Sequence, residues 1–322
     1  MAKIVTVVGA TGIQGGSVVR ALLNEPSYSI RAITRDSKSD AAKALAEKGV
    51  EVVEADINKP DTLLSAFAGS YAIFAVTDYF GPLVTEGIYK SMDIESEKGI
   101  NLANAAAATD SLKHYIWSSL PNSHENSGGK IVVPYYESKN RVDRHIKSIP
   151  HLLSKTTFAW FSWYAGNMNY PLYQPSPINS MDGEKLYVQL VGASPTTTLL
   201  PLMGDERTNV GLFVKAILDQ PEKTLPGRIV RSLVEQWSIS ELVSTFASVH
   251  KIRAHCLQIS EEDYAKIYPI WGELLNINHR YMNALGGQAF TSTVEQVVTK
   301  DDLGIKGLVG TAEAFAAIKL LN

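Results

Sequence analysis

Tyr135 and Lys139 stand four residues apart in "PYYESK", a spacing that puts a phenol and an ammonium on one face of a helix. A free phenol titrates near about 10, too high for acid–base work at neutral pH. An ammonium a few ångströms away stabilises the phenolate and lowers that value. Such a pair can protonate the alkoxide that forms when hydride reaches a carbonyl carbon. Ser118 and Ser119 close the apolar run "HYIWSSL", where a serine hydroxyl can hydrogen-bond the same carbonyl. Strand alternation lets only one of the two face a cleft. Ser119 is preferred, with Ser118 the alternative.

A source of hydride is suggested at the other end of the chain. "VVGATGIQGGSVVRALL" (7–23) places Gly9, Gly12, Gly15 and Gly16 between a strand-like and a helix-like run. A glycine-rich turn there lets backbone reach a pyrophosphate, and the helix N-terminus adds partial positive charge. The spacing is G-x-x-G-x-x-G rather than G-x-G-x-x-G, so its context inside a βαβ unit carries the inference. Gly9, Thr11, Gly12, Ile13, Gln14 and Gly15 are the expected phosphate-side contacts. At the end of the second strand, "ITRDSK" puts Arg35 before Asp36. An arginine there fits a 2′-phosphate, whereas an acid fits free ribose hydroxyls, so NADP(H) is the expected cofactor. Asp56 and Ile57 fall where adenine lies, Val76 and Thr77 near the ribose, and Lys139 reaches the ribose hydroxyls.

The elements that must position these groups alternate regularly. "KIVTVV" (3–8), "SIRAIT" (29–34), "VEVVEAD" (50–56), "YAIFAVT" (71–77) and "HYIWSSL" (114–120) read as strands, separated by helical patterns that include 39–49 and 88–108. Residues 135–148 read as a helix and "TTFAWFSWY" (156–164) as one further strand, with "HENSGGK" (124–130) a polar loop. The order predicts an α/β fold: a Rossmann-type doubly wound parallel sheet with a smaller, mixed α/β C-terminal substrate region. Residues 1–160 are expected to bind NADP(H) and 161–322 to form the substrate side, with about 205–220 returning to pack on the first region. Thr208 is expected to cap a helix over 208–218, Ser238 one over 238–250, and the tail is expected to be helical.

Composition narrows the class. Of 322 residues 45% are hydrophobic and 20% charged, and the net charge is −3, ordinary for a soluble globular chain. Basic residues are scattered, so no direct nucleic-acid contact is expected. No apolar run approaches a membrane span, and the first strand begins at once, so a cytoplasmic protein is expected, with the nucleus open. The single Cys256 cannot form an internal disulfide, and the histidines show no metal-like spacing. Trp160, Trp163, Tyr164, Tyr170, Tyr173 and Trp271 are candidates for an apolar pocket.

"GATGIQGGSVVRALL", "ITRD", "HYIWSSLPN", "SGGKIVVPYYESKNRVDRHI" and "FSWYAGNMNY" together resemble the NmrA-like family of atypical short-chain dehydrogenases/reductases, in particular its fungal members. The resemblance spans roughly the first half and implies NADP(H) binding with Lys139 as a cofactor contact. It also places Tyr164 and Asn167 of the last stretch among the cofactor contacts. The family holds both true reductases and NADP-binding regulators without catalysis. Tyr135 stands where non-catalytic members commonly carry histidine, which recreates the Y-x-x-x-K pair of catalytic short-chain reductases. "AWFSWYAGNM" in turn lacks the "RPGF"-like text usual after the sixth strand. The expected function is an NADPH-dependent reductase of a carbonyl or conjugated alkene on a hydrophobic small molecule, in secondary metabolism, acting as a monomer or homodimer. The alternative is an NADP(H)-sensing regulator that acts through a protein partner.

Overall fold

The computed structural model describes residues 2–179, 181, 183 and 185–321. The first half lays down β1 (Lys3–Val8), β2 (Tyr28–Thr34), β3 (Glu51–Glu54), β4 (Ala72–Ala75), β5 (His114–Ser119) and β6 (Thr156–Phe161). The chain continues with β7 (Trp163–Tyr164), β8 (Ser176–Asn179), β9 (Lys185–Val191), β10 (Leu199–Gly204) and β11 (Arg228–Ser232). β12 (Glu235–Ser238), β13 (Arg253–Gln258) and β14 (Val297–Val298) follow. One sheet of eight parallel strands runs in the order β14-β11-β6-β5-β4-β1-β2-β3. Two small mixed sheets, β12-β10-β7 and β13-β9-β8, stand beside it.

Helices cover both faces, which is why β4, β5 and β6 are buried along their whole length without alternation. The first half carries α1 (Ile13–Leu22), α2 (Asp40–Ala46), α3 (Pro60–Phe67), α4 (Leu83–Glu86), α5 (Ile88–Ala107), α6 (Ser123–Asn126), α7 (Pro134–Lys147) and α8 (Pro150–Leu153). α9 (Glu206–Asp219), α10 (Pro221–Thr224), α11 (Ile239–His250), α12 (Glu261–Ile267), α13 (Trp271–Leu285) and α14 (Thr311–Phe315) belong to the second. On one face Val18 and Leu22 of α1 meet Val210, Phe213 and Ile217 of α9. On the other, Leu63 and Phe67 of α3 join Leu102 and Ala106 of α5 and Val142 and Ile146 of α7. From β1 the chain winds outward through β2 and β3, then returns to β4 on the opposite side. The sheet therefore opens a crevice at the C-terminal ends of β1 and β4, where ligands of such folds bind. α13 closes over that crevice: Leu274 packs on Tyr79, Leu83 and Ile88, while Tyr281 and Met282 pack on Tyr136.

Several local expectations are corrected. The run 156–164 is two strands, because the chain leaves the main sheet at Ser162 and β7 pairs with β10 instead. The expected polar loop over 124–130 opens instead inside a single helical turn, Ser123–Asn126, capped by the Asn122 side chain, which accepts from the Glu125 N–H at 3.1 Å. Asp205, not Thr208, caps α9: it accepts from the Arg207 N–H at 3.1 Å, and the Thr208 hydroxyl donates to it at 2.6 Å. The helical tail shrinks to α14, since Gly304 and Gly307 take positive φ just before it. Ser238 does cap α11, in a reciprocal box with Glu241.

α1 and α9 touch through Gly211, whose N–H donates to Ser17 Oγ at 2.8 Å. A Cβ at 211 would lie 2.3 Å from the Ser17 carbonyl oxygen and 2.7 Å from Ala21 Cβ. Gly211→Ala gains about 1 kcal/mol of helix propensity but overpacks this contact. A net loss of about 1–3 kcal/mol is expected in urea unfolding, and an unchanged midpoint would show that the two helices shift apart freely.

Candidate active site

The glycine turn follows β1 directly. Gly9 has φ +67°, a conformation glycine adopts without strain, and its carbonyl accepts from the Gly12 N–H at 2.9 Å. A Cβ on residue 15 would stand 2.2 Å from that same carbonyl oxygen, so only glycine lets α1 begin this close to the strand. α1 starts at Ile13 with no side chain capping it, leaving its first N–H groups directed at the crevice. Gln14 Nε2 donates to the Tyr164 hydroxyl at 2.6 Å, tying the turn to β7, while Gln14 Oε1 is buried without a protein partner among the described residues.

A cavity of about 1610 Å³ runs from this turn to α13. Gly9, Thr11, Gly12, Ile13, Gln14, Gly15, Arg35, Ile57, Val76, Thr77, Lys139, Tyr164 and Asn167 all line it, as do Ser118, Ser119 and Tyr135. Arg35 is exposed on its rim and makes no ion pair among the described residues. Asp36 accepts the Lys38 N–H at 2.8 Å, so its carboxylate is partly spent on its own turn. Asp56 is the expected contact that the wall leaves out. Its carboxylate accepts from the Asn58 backbone and side chain, both at 2.9 Å, bonds that hold it below the usual carboxylate range. Asn58 takes its place on the wall.

Lys139 points into a different partnership from the one its spacing suggests. Its ammonium lies 3.0 Å from Glu95 Oε1 on α5 and 3.2 Å from Thr77 Oγ1. Glu95 is completely buried, accepts from Thr77 Oγ1 at 2.7 Å, and takes a second, short bond from the Ser138 hydroxyl. The charge on Lys139 is therefore compensated by a carboxylate, and Tyr135 lacks the cation expected beside it. Burial, with Tyr136, Tyr173 and Tyr79 around it, pushes the Tyr135 phenol well above 10. In this arrangement the lysine pairs with Glu95 rather than with the phenol. The ring of Tyr135 belongs instead to an aromatic wall, with centroids 5.9 Å from Tyr79, 5.4 Å from Phe80 and 5.0 Å from Tyr136. Phe80 in turn stacks on Trp271 at 5.4 Å and 13°. Trp163, Tyr164, Tyr170, Tyr173 and Trp271 face the cavity as expected of pocket residues, whereas Trp160 lies in the core beneath α7.

Ser119 is also committed. Its hydroxyl reaches both oxygens of Asp143, at 2.8 and 2.7 Å, beside the Trp117 Nε1 donor at 2.8 Å. Residues 115, 117 and 119 share the face of β5 beneath α7, and Ser118 takes the other face with Ile116. Burial pushes the Asp143 carboxyl up to about 7, against the pull of Ser119, Lys147, Trp117 and Lys139. Glu95 and Asp143 are the residues that spacing arguments missed. Both left a signal: Ile88, Glu95 and Leu102 recur at seven residues on one face of α5, and Asp143 follows Lys139 by one helical repeat. Among the described residues no three His, Cys, Asp or Glu side chains gather as a metal site, and no helix is long and apolar enough to cross a membrane.

A doubly wound parallel sheet with a glycine turn opening on its switch point defines a protein of the Rossmann type. The chain belongs to the NmrA-like family, which matches residues 1–305. It is 30% identical over 255 residues to the NmrA-like family domain-containing oxidoreductase FrzB of Cladobotryum sp, covering 77% of this chain and 74% of that one. It is 28% identical to the oxidoreductase notA' of Aspergillus versicolor over 76% of this chain and 69% of the relative. Its fold is shared with NmrA, a negative transcriptional regulator solved in complex with NADP (TM-score 0.74, 21% identity, 98% and 95% coverage). It is shared also with a Citrobacter sp. triphenylmethane reductase complexed with NADP(H) (TM-score 0.68, 18% identity, 97% and 98% coverage).

Glu95→Gln removes the carboxylate from a lysine whose side chain is 11% exposed. Breaking a buried pair from one side leaves an uncompensated charge, at a cost of about 3–5 kcal/mol. Urea unfolding at neutral pH measures it. A loss below about 1 kcal/mol would mean that Lys139 reaches solvent in the variant.

Proposed function

We propose that the protein is an NADPH-dependent reductase acting on a carbonyl or conjugated alkene of a hydrophobic small molecule. The observation that carries this reading is the convergence on one cavity of a glycine turn only glycine can make, the unpaired Arg35, Lys139 and two hydroxyls, Tyr135 and Ser119. Residues of 1–160 would hold the cofactor and those of 161–322 would shape the substrate side. The groups present suit NADP(H). The α1 N-terminus and Gln14 would meet the pyrophosphate, Arg35 the 2′-phosphate and Lys139 with Thr77 the ribose. Bound there, NADPH supplies hydride. The names of the relatives as oxidoreductases agree with the reading.

The protein's own work is then to bind, orient and supply a proton. The aromatic wall of Tyr79, Phe80, Tyr135 and Trp271 offers flat apolar faces to the substrate and excludes water. Tyr135, a neutral phenol at every physiological pH, donates a hydrogen bond to the carbonyl as charge develops on its oxygen. The pairing of Lys139 with Glu95 favours a second reading, a sensor whose partner affinity differs between NADP⁺ and NADPH.

NADPH oxidation against a panel of ketones, aldehydes and enones separates the two. Reduction of any acceptor supports the enzyme, and partner binding that follows the cofactor's redox state, with no turnover, supports the sensor. Arg35→Ala should weaken NADPH binding by about 1.5–3 kcal/mol and leave NADH affinity unchanged, since only one charge-assisted bond to the 2′-phosphate is lost. Equal losses for both cofactors in titration would remove that role. Tyr135→Phe should lower turnover by about 10² while NADPH affinity stays intact, because the ring still packs. Full activity in that variant would reduce Tyr135 to a packing residue.

A further inference from the structure

Ser119 stands between two cavities. One is the large cavity described above; the other is a small one of about 40 Å³ on the far side of Asp143, beneath α7. Asn140 and Trp160, each 3% exposed, border the small cavity with Asp143. Asn140 Nδ2 donates to the Leu120 carbonyl at 2.8 Å, yet among the described residues its Oδ1 has no protein partner, and neither has Trp160 Nε1. A buried acceptor and a buried donor left over at one cavity call for a ligand that both donates and accepts, which is water. The volume suffices for one. The outer rim is formed by Glu125, Arg144, Lys147 and Glu295, whose side chains reach solvent.

We propose that Asp143 and Ser119 form a proton relay that carries protons from solvent, through the water of the small cavity, to the substrate oxygen in the large one. The inference rests on the reductase reading. The hydroxyl of Ser119 lies 2.7–2.8 Å from both Asp143 oxygens, so a proton passes between them with no movement of backbone. As hydride, which a bound NADPH would supply, reaches the carbonyl carbon, the C=O π pair would move to oxygen. That oxygen takes the proton of Ser119 Oγ, Oγ takes the proton of neutral Asp143, and water in the small cavity recharges the carboxylate. One proton is consumed per alcohol formed, and the hydride would come from bound NADPH, which would be left as NADP⁺.

The surroundings suit the role. Lys139 and Lys147 face Asp143 from its own helix, with Arg144 at the rim. The Tyr115 hydroxyl and the Trp117 and Ser119 donors approach from β5. Glu125 and Glu295 stand across the small cavity, Glu295 paired with Lys147 at 3.0 Å. Burial outweighs the cations, and with its carboxyl at about 7 both forms of Asp143 coexist at neutral pH. Tyr135 lines the large cavity and supplies the orienting hydrogen bond there.

Infrared titration of the carboxyl stretch tests the relay without any substrate. Wild-type protein should show one buried carboxyl that titrates between about pH 6 and 8 and is missing in Asp143→Asn. In Ser119→Ala its midpoint should move up, because the lost hydrogen bond favoured the carboxylate. On any acceptor that the wild type reduces, Asp143→Asn should cut turnover by about 10²–10⁴ and abolish the pH dependence near neutrality, with NADPH affinity unchanged. Ser119→Ala should do the same if Asp143→Asn proves too unstable to assay. Absence of a neutral-range carboxyl overturns the relay. So does an active wild type whose turnover and pH profile survive Asp143→Asn. A wild type that titrates as expected but reduces none of the acceptors overturns the reductase reading, and the relay falls with it.

Discussion

The ion pair between Glu95 and Lys139 organises the cavity. It joins α5 to α7 across the C-terminal end of β4, and Thr77 completes the triangle by bonding to both partners. With the glutamate side chain 1% exposed and the lysine 11%, neither charge is left to bulk water. Desolvation makes such a pair stabilising only while both partners and their hydrogen bonds are in place. Ser138 and Thr77 supply those bonds. The geometry therefore sets the distance between the two helices that flank the crevice, and with it the width of the site.

That pair also sorts the chemistry along α7. Tyr135, Lys139 and Asp143 are spaced by four on one stripe, yet each meets a different environment. Tyr135 enters an aromatic wall, Lys139 a buried carboxylate, and Asp143 a pocket of neutral donors under β5. The phenol rises because nothing nearby offsets burial. At the Asp143 carboxyl two donors and two cations partly offset the same cost. One helical face thus carries a neutral donor, a compensated cation and an acid poised near neutrality.

The fold was legible in the sequence because apolar period and glycine placement are local properties. β1, β2, β5 and the long helix over 88–107 fall within a residue or two of where period alone puts them. The glycine turn was legible for the same reason: the close approach of residue 15 to the Gly9 carbonyl is settled within seven residues. What stayed hidden depends on distant contacts. The strand break at Ser162 is decided by pairing with β10, some forty residues on. The helix cap moved from Thr208 to Asp205 because the Asp205 carboxylate takes both the Arg207 N–H and the Thr208 hydroxyl. Asp56 left the wall for a reason that is local but conformational, a side chain folding onto Asn58.

The lysine shows most sharply where spacing stops being informative. Tyr135 and Lys139 do share a helical face, and that much follows from a period of 3.6 residues. Which partner the ammonium takes is decided by competition. A carboxylate buried at 3.0 Å offers a full opposite charge, whereas a neutral phenol offers only a dipole, so Glu95 holds Lys139 wherever both are within reach. In this chain the Y-x-x-x-K spacing therefore does not by itself set the partner of the ammonium. The deciding residue lies forty-four positions upstream, on the neighbouring helix.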